Sequence, residues 1–224
     1  MNVSTTRRLP AHPFALPNML TYGRIAAVPA VVMLLYWQAI WQGGLWLRWL
    51  AMTVFIIAAL TDILDGYLAR SWGQMSSFGR MLDPIADKLL VSSSLLMLAA
   101  DGTIKGWSLW AAIVILCREI LVSGLREYLA ELRVSVPVTQ LAKYKTLLQN
   151  FAVGFLITGQ AGDVLFPTLS VPTLKLSEAG FYIGAQSLGI VTLIGITLLW
   201  LSAILTLYTG YDYFRAGVRH LIED

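Results

Sequence analysis

Six long apolar runs, separated by short polar segments, dominate the hydrophobic pattern of the chain. Within each run the apolar positions are nearly continuous rather than confined to one stripe, which is typical of helices surrounded by lipid. Each run approaches or exceeds the roughly 17–25 residues that a helix needs to cross a bilayer. The pattern therefore predicts an all-α, polytopic membrane protein. Its six predicted transmembrane helices are Ile25–Trp41, Trp46–Leu64, Ile85–Ala100, Trp107–Leu129, Thr146–Gly162 and Gln186–Thr209.

The segments between these runs contain no linker, internal repeat or low-complexity stretch, so residues 1–224 are expected to form a single membrane domain. Residues 1–20 form an N-terminal segment, in which Pro10–Leu20 is expected to lie along the membrane surface as a short amphipathic helix. Glycines and prolines interrupt the longest connection, Asp163–Ala185, which is expected to be a loop. The charged connections, Ser71–Leu82 and Ala130–Ala142, are expected to lie together on the other side of the membrane.

Composition and charge give this arrangement an orientation. The chain is 57% hydrophobic and 13% charged, with a mean hydropathy of +0.69, which leaves too little polar surface for a soluble domain. An even number of spans places both termini on one side, and most lysines and arginines fall on that side. The positive-inside rule then predicts cytoplasmic termini. The residues counted there are Arg7, Arg8, Arg24, Arg70, Arg80, Lys88, Arg126, Arg133, Lys143, Lys145, Arg215 and Arg219.

The net charge of +3 is explained by this topology and by attraction to anionic membrane lipid. The sequence contains no nucleic-acid-binding motif and no basic run, so no nucleic-acid partner is expected. The single cysteine, Cys117, lies within a predicted span and excludes an intramolecular disulfide.

Four aspartates stand close together in this otherwise apolar chain. Asp62 and Asp65 are three residues apart near the end of the second run, and Asp83 and Asp87 are four apart at the start of the third. Each pair therefore shares one helix face. Asp83 followed by Pro84 is a favourable helix start, which predicts that the third helix begins there. A short connection joins the two helices, so we expect them to be antiparallel neighbours with converging carboxylates.

Four converging carboxylates repel one another and favour a bound divalent cation. The site has no nearby His or Cys, and carboxylate oxygens suit Mg²⁺ or Mn²⁺. A pair of such ions is able to hold both sides of a phosphoryl transfer. Small residues at Gly66, Ala69 and Gly79 leave room for a ligand, and the planar fork of Arg70 matches a phosphate. These features predict a pyrophosphate-binding site at the membrane surface. Capping and ion pairing of the aspartates with Arg70, Arg80 and Lys88 is the structural alternative.

The aspartates belong to the pattern D-x2-D-G-x2-A-R-x8-G-x3-D-x3-D, and with it the chain resembles the CDP-alcohol phosphatidyltransferases. This family consists of dimeric, six-span membrane enzymes, so the resemblance implies a homodimer and CDP-diacylglycerol as the donor substrate. The pattern fixes eight positions across two helices, which makes the match specific. The matched positions are Asp62, Asp65, Gly66, Ala69, Arg70, Gly79, Asp83 and Asp87.

The resemblance also implies roles for these positions. Asp87 is expected to be the general base that deprotonates the acceptor hydroxyl, with a share in the second metal ion. The expected metal ligands are Asp62, Asp65, Asp83 and Asp87. The expected contacts to CDP-diacylglycerol in this region are Gly66, Ala69, Arg70, Ser76 and Gly79.

Further segments resemble the phosphatidylglycerophosphate synthase branch of this family. They are PNMLTYGRIAAVP at Pro17–Pro29, CREILVSGLREYLA at Cys117–Ala130, and the Lys-x-Lys-Thr-x-x-Gln run at Lys143–Gln149. In the first of them, Asn18 and Thr21 are expected to contact CDP-diacylglycerol.

Basic residues of the second and third segments suggest a pocket for an acceptor that is itself a phosphate ester. They are expected to converge where the fourth and fifth spans meet the cytoplasm. In the alternative interpretation, the two arginines pair with Glu119, Glu127 and Glu131 or reach lipid headgroups. The candidate phosphate-binding residues are Arg118, Arg126, Lys143 and Lys145.

The expected activity is transfer of a phosphatidyl group from CDP-diacylglycerol to the 1-hydroxyl of sn-glycerol 3-phosphate, with release of CMP. The expected location is the bacterial inner membrane, with the active site facing the cytoplasm. A family member that uses inositol phosphate, serine or a second lipid as acceptor is the nearest alternative. A cation transporter is a further alternative, but transporters favour repeats and broken helices near the midplane, whereas these aspartates are interfacial.

Overall fold

The structure is a computed structural model of the chain, and it describes residues 16–72, 77–132, 140–166, 168–177 and 180–222. Side chains are described for 18–62, 81–132, 141, 144–166, 168–169 and 188–215, and elsewhere in those ranges only the backbone is described.

Each of the six predicted runs contains a helix, which confirms the helical class. Three segments, Asn18–Ile40, Ser108–Glu131 and Ile190–Arg215, are long and apolar enough to cross a membrane. The six transmembrane spans as a set remain a prediction. The elements in chain order are α1 Leu16–Ile40, α2 Trp46–Trp72, α3 Ser77–Ala100, α4 Ser108–Glu131, α5 Gln140–Asp163, β1 Thr168–Ser177, β2 Gly180–Gly189 and α6 Ile190–Ile222.

The long loop expected after α5 contains an antiparallel hairpin, in which β1 and β2 pair from Thr168 opposite Gly189 to Ser177 opposite Gly180. The predicted sixth span starts at Gln186, but α6 begins only at Ile190 because the preceding residues belong to β2. The carboxylate of Asp163 fixes this start, since its Oδ1 accepts hydrogen bonds from the backbone N–H groups of Val191 and Thr192, in the first turn of α6, at 2.9 and 3.1 Å.

The ends of α1 and α3 also differ from the sequence prediction. Most of the predicted interfacial helix Pro10–Leu20 lies outside the described residues, and its last five residues are the first of α1. The prediction that α3 begins at Asp83 and Pro84 is wrong, because α3 begins at Ser77 and Pro84 lies inside it. Pro84 is the eighth residue of α3, where a proline removes one backbone hydrogen bond and crowds the carbonyl group four residues before it, and the helical residues on both sides outweigh that local cost.

Packing places α1 against both α2 and α3, α5 along α6, and α4 against α6. In the described part of the chain α2 and α3 touch each other only slightly, and α1 packs against both of them. The core is apolar and draws residues from every helix, and it includes Leu35, Phe55, Leu95, Ile115, Leu156 and Leu199.

Large apolar side chains also cover the outside of the bundle, as expected for a surface in contact with lipid. Ile57, Leu96, Ile120 and Ile204 are each more than half exposed, and Ile120 reaches 75%. A water-facing surface of this kind would be costly, because burying apolar area is worth about 25 cal/mol per Å².

A buried polar network closes the end of the bundle where α2 begins. Arg48 is fully buried and forms an ion pair with Asp101 in the connection between α3 and α4. It also donates to Gln38 Oε1 at 2.8 Å and to the carbonyl oxygen of Ile157 at 3.2 Å, so one side chain joins α1, α2 and α5. Arg48 precedes Asp62 on α2 by 14 residues, which is about 21 Å of helix. The candidate site therefore lies at the other end.

Candidate functional site

The site begins with a buried polar stripe on α1. Asn18, Thr21 and Arg24 are spaced three residues apart, so they share one helix face, and each is at most 1% exposed. Farther along the helix the buried positions become apolar, with Val31 and Leu35. The helix thus places polar groups at one end of the bundle and core residues in its middle.

Arg24 joins two of the predicted metal ligands. Its Nη1 lies 2.6 Å from Asp62 Oδ1 on α2 and 3.0 Å from Asp83 Oδ1 on α3. Because both oxygens contact one nitrogen, they can be no farther apart than the sum of those distances. The convergence predicted from the spacing is therefore present for these two aspartates, with a cation from α1 between them.

Asp87 lies one turn beyond Asp83 on α3. It is within electrostatic range of Asp62, Asp83, Arg24 and also Glu119 on α4. Its side chain is partly buried and lines a cavity between α3, α4 and α5. Asp87 is thus positioned between the aspartate pair and the residues contributed by α4 and α5.

The donor groups fit the predicted divalent cation in their chemistry. Asp62 and Asp83 offer hard carboxylate oxygens, which suit Mg²⁺ or Mn²⁺, and they already share a cationic group. Within the described side chains, however, no group of three or more His, Cys, Asp or Glu is close enough to hold a metal ion. The side chain of Asp65 lies outside the described residues, so the four-aspartate metal site stays a prediction.

A second charged cluster lies where α4 meets α5. Glu119 Oε1 accepts from Lys145 Nζ and lies 3.4 Å from Arg118 Nη1. Lys145 is only 4% exposed, so its charge depends on Glu119 for compensation. Two of the predicted phosphate-binding cations are thus brought together by one carboxylate. In the alternative interpretation Arg118 pairs with Glu119, and the structure contains this pair. A role of Arg118 in binding the acceptor stays a prediction.

Helix α6 supports Arg118 from behind. Arg118 Nη2 donates to Thr209 Oγ1 at 3.1 Å, and a Cβ at Gly210 would lie 3.1 Å from Arg118 Cγ. A glycine at this position allows the arginine to pack closely against α6. Arg126, two turns farther along α4, lies over the ring of Tyr213 at 5.7 Å and is exposed, so it contacts α6 rather than Glu119.

The remaining candidates are described less fully. Ser76 lies outside the described residues. For the other remaining candidate residues the structure describes only the helical backbone, so the roles of their side chains stay predictions. They are Asp65, Gly66, Ala69 and Arg70 on α2, Gly79 on α3 and Lys143 on α5.

A small cavity of about 10 Å³ between α3, α4 and α5 is lined by residues from both sides of the site. Asp87 and Lys88 line it from α3, Glu119 from α4 and Gln149 from α5. Lys88 Nζ donates to Ser123 Oγ, which in turn donates to the carbonyl oxygen of Glu119 at 2.5 Å. Asp87 therefore lines the same cavity as Glu119, the carboxylate that holds Arg118 and Lys145.

Sequence reasoning missed three contributors to this site. Arg24 was counted only as a topology-setting charge, although its three-residue spacing from Thr21 placed it on the same helix face. Glu119 was considered only as an ion-pair partner of an arginine. Gln149 carries no charge, and although it ends the Lys-x-Lys-Thr-x-x-Gln run, no role was expected of it.

Comparison with known proteins identifies the family of the chain. The family model described as CDP-alcohol phosphatidyltransferase matches residues 14–208, which include both clusters. The chain belongs to the CDP-alcohol phosphatidyltransferase family. The resemblance inferred from the eight-position aspartate pattern is thereby confirmed.

Several relatives within this family carry a common name, CDP-diacylglycerol–glycerol-3-phosphate 3-phosphatidyltransferase. The protein of that name from Rickettsia bellii (strain RML369-C) is 40% identical over 201 residues, covering 90% of this chain and 94% of the relative. The one from Cereibacter sphaeroides is 38% identical over 223 residues, covering 94% and 99%. The one from Escherichia coli (strain K12) is 32% identical over 213 residues, covering 94% and 99%.

Proposed function

We propose that this enzyme transfers the phosphatidyl group of CDP-diacylglycerol to sn-glycerol 3-phosphate, giving phosphatidylglycerophosphate and CMP. Membership of the family supports the reaction type, and the names of relatives that align over nearly the whole chain support the acceptor. The observation that carries the proposal is the position of Asp87. It lies between an aspartate pair suited to a donor pyrophosphate with its metal and a cation pair suited to a phosphate ester.

At the donor end, Asp62, Asp65 and Asp83 would hold Mg²⁺ or Mn²⁺, with Asp87 sharing a second ion. Such ions, when bound, neutralise the pyrophosphate and polarise its phosphorus. Arg24 provides a fixed positive charge between Asp62 and Asp83 and lowers their mutual repulsion. The remaining proposed donor contacts are Asn18, Thr21, Gly66, Ala69, Arg70, Ser76 and Gly79.

In the proposed step, the 1-hydroxyl of the acceptor attacks the β-phosphorus of CDP-diacylglycerol. A new phosphorus–oxygen bond forms, the bond from that phosphorus to the bridging oxygen breaks, and CMP leaves with the electron pair. Asp87 accepts the hydroxyl proton, a role that requires a carboxylate within hydrogen-bonding reach of the acceptor. Direct attack by the bound alcohol needs no protein nucleophile.

At the acceptor end, Arg118 and Lys145 would bind the phosphate of glycerol 3-phosphate, with Lys143 and Arg126 as further candidates. Glu119 holds the first two cations at one point and neutralises one of their two charges. A net positive charge is left for the incoming dianion. Charge-assisted contacts of this kind contribute about 1.5–3 kcal/mol each.

We further propose that the protein is a homodimer in the bacterial inner membrane, with both termini and the active site on the cytoplasmic side. The excess of lysine and arginine on the side of the termini supports this orientation. An interfacial site would receive the lipid donor from the membrane and the soluble acceptor from water. The homodimer follows from the resemblance to dimeric family members.

The proposed reaction is tested by measuring CMP release from CDP-diacylglycerol by the purified protein. Glycerol 3-phosphate, inositol phosphate, serine and a lipid alcohol are supplied in turn, each with Mg²⁺ or with EDTA. We expect release with glycerol 3-phosphate and Mg²⁺ and none with EDTA. Preference for an acceptor without a phosphate would contradict the proposed acceptor, and no CMP release with any of them would contradict the proposed reaction.

A further inference from the structure

Gln149 is a buried polar residue that the reaction described above does not use. It lies on α5, is only 5% exposed and lines the cavity that also contains Asp87 and Glu119. Among the residues that the structure describes, no group forms a hydrogen bond with its Oε1. Buried polar groups are normally hydrogen-bonded, so an unsatisfied one beside a candidate active site requires an explanation.

The position of Gln149 on α5 relates it to the acceptor cations. Gln149 lies four residues beyond Lys145, which puts both side chains on one helix face about 6 Å apart along the axis. That spacing is on the scale of a three-carbon phosphate ester. Asp87 lines the same cavity from α3. The cavity has a volume of about 10 Å³, close to that of one water, so an acceptor whose phosphate contacts Lys145 must widen it to extend past Gln149 toward the proposed base.

The other walls of the cavity restrict what fits beside Gln149. Val91, Ile115 and Leu116 provide apolar contacts that suit carbon atoms, whereas Ser92 and the Gln149 amide are polar. A hydroxyl both donates and accepts hydrogen bonds, so it is able to satisfy a glutamine amide in either orientation. The middle carbon of glycerol 3-phosphate carries such a hydroxyl.

We infer that Gln149 is a specificity-determining residue that hydrogen-bonds the 2-hydroxyl of the acceptor. This contact would orient the three-carbon chain so that its 1-hydroxyl faces Asp87. The inference rests on the proposed function, and it adds the residue that distinguishes glycerol 3-phosphate from phosphate esters lacking the middle hydroxyl.

The inference is tested by changing the residue and the hydroxyl independently. Wild-type protein and Gln149→Met are assayed for CMP release with glycerol 3-phosphate and with 3-hydroxypropyl phosphate, which lacks the 2-hydroxyl. We expect wild type to prefer glycerol 3-phosphate by roughly tenfold in kcat/KM, since the analogue leaves a buried amide unpaired. In Gln149→Met the preference should largely disappear, through slower use of glycerol 3-phosphate.

Two further variants separate recognition from folding. Gln149→Glu retains an acceptor oxygen and should retain the preference for the 2-hydroxyl. Gln160→Met changes a glutamine on the same helix whose amide contacts Gln38 and Thr103 at 3.5 Å, and it should leave the preference unchanged. The thermal midpoint of Gln149→Met should not fall, because the substitution removes an amide oxygen that has no hydrogen-bond partner among the described residues.

The outcomes distinguish the inference from the proposed function. An unchanged preference in Gln149→Met, or an equal loss of preference in Gln160→Met, would overturn the role of Gln149 alone. If wild type released no CMP with either phosphate ester, the proposed function would fail and the inference would fail with it.

Discussion

Arg24 offers a test of the aspartate cluster that does not depend on turnover. Its Nη1 contacts Asp62 at 2.6 Å and Asp83 at 3.0 Å, and its side chain is only 1% exposed. Arg24→Met removes the charge but keeps an apolar side chain of similar length. The two carboxylates would then face each other without a protein cation between them, and we expect the variant to be less stable and to depend more strongly on a divalent ion.

The size of this effect follows from the two contacts. A hydrogen bond to a charged group contributes about 1.5–3 kcal/mol. The aspartate side chains are 36% and 27% exposed, so water replaces part of the lost interaction. We therefore expect the free energy of unfolding to fall by about 2–3 kcal/mol in total. In a chain of this size that loss corresponds to a thermal midpoint about 4–12 °C lower.

The assay is thermal unfolding of the detergent-solubilised protein, in EDTA and over a series of Mg²⁺ concentrations. In EDTA the midpoint of Arg24→Met should lie below that of wild type, and Mg²⁺ should raise it by more than it raises wild type. Arg48→Met is the matched control, since it removes a buried, ion-paired arginine from the far end of the bundle. It should lower stability without changing the response to Mg²⁺. Equal responses of Arg24→Met and wild type to Mg²⁺ would refute the reasoning.

Three other predictions concern activity. Asp62→Asn should abolish Mg²⁺-dependent CMP release while the variant remains folded in detergent, and full turnover would contradict its role as a metal ligand. Asp87→Asn should still bind CDP-diacylglycerol but turn over roughly 10²–10⁴-fold more slowly, as expected for loss of a general base; an equal loss of donor binding would make Asp87 chiefly a metal ligand. Arg118→Ala and Lys145→Ala should each raise the acceptor KM by roughly ten- to a hundredfold and leave the donor KM nearly unchanged, and a normal acceptor KM would contradict the proposed phosphate site.

Local sequence rules predicted the helices and the carboxylate pairs well, because spacing along a helix determines which residues share a face. They also led to the convergence of Asp62 and Asp83. They did not predict that α1 would pack against both α2 and α3, since the order in which helices pack depends on the shapes of whole helix surfaces. For that reason Arg24 was read as a membrane-topology charge instead of a cation within the aspartate cluster.

Other differences arose where a local preference and the tertiary structure disagree. Prolines and glycines after α5 favoured a loop, but backbone pairing between β1 and β2 gives a hairpin there. The Asp83-Pro84 pair favoured a helix start, but α3 continues through it from Ser77. Gln149 ends the quoted Lys-x-Lys-Thr-x-x-Gln run, but a neutral side chain indicates no particular role until a cavity is placed beside it.

The central claim is that the aspartate cluster and the Arg118–Lys145 pair serve the two substrates of one transfer reaction. Its most direct test is to incubate the purified protein with CDP-diacylglycerol, Mg²⁺ and isotope-labelled glycerol 3-phosphate, and to measure label in the lipid fraction together with released CMP. We expect one labelled phosphatidylglycerophosphate to form for each CMP. Release of CMP without label in lipid, or labelled lipid in the presence of EDTA, would contradict the account.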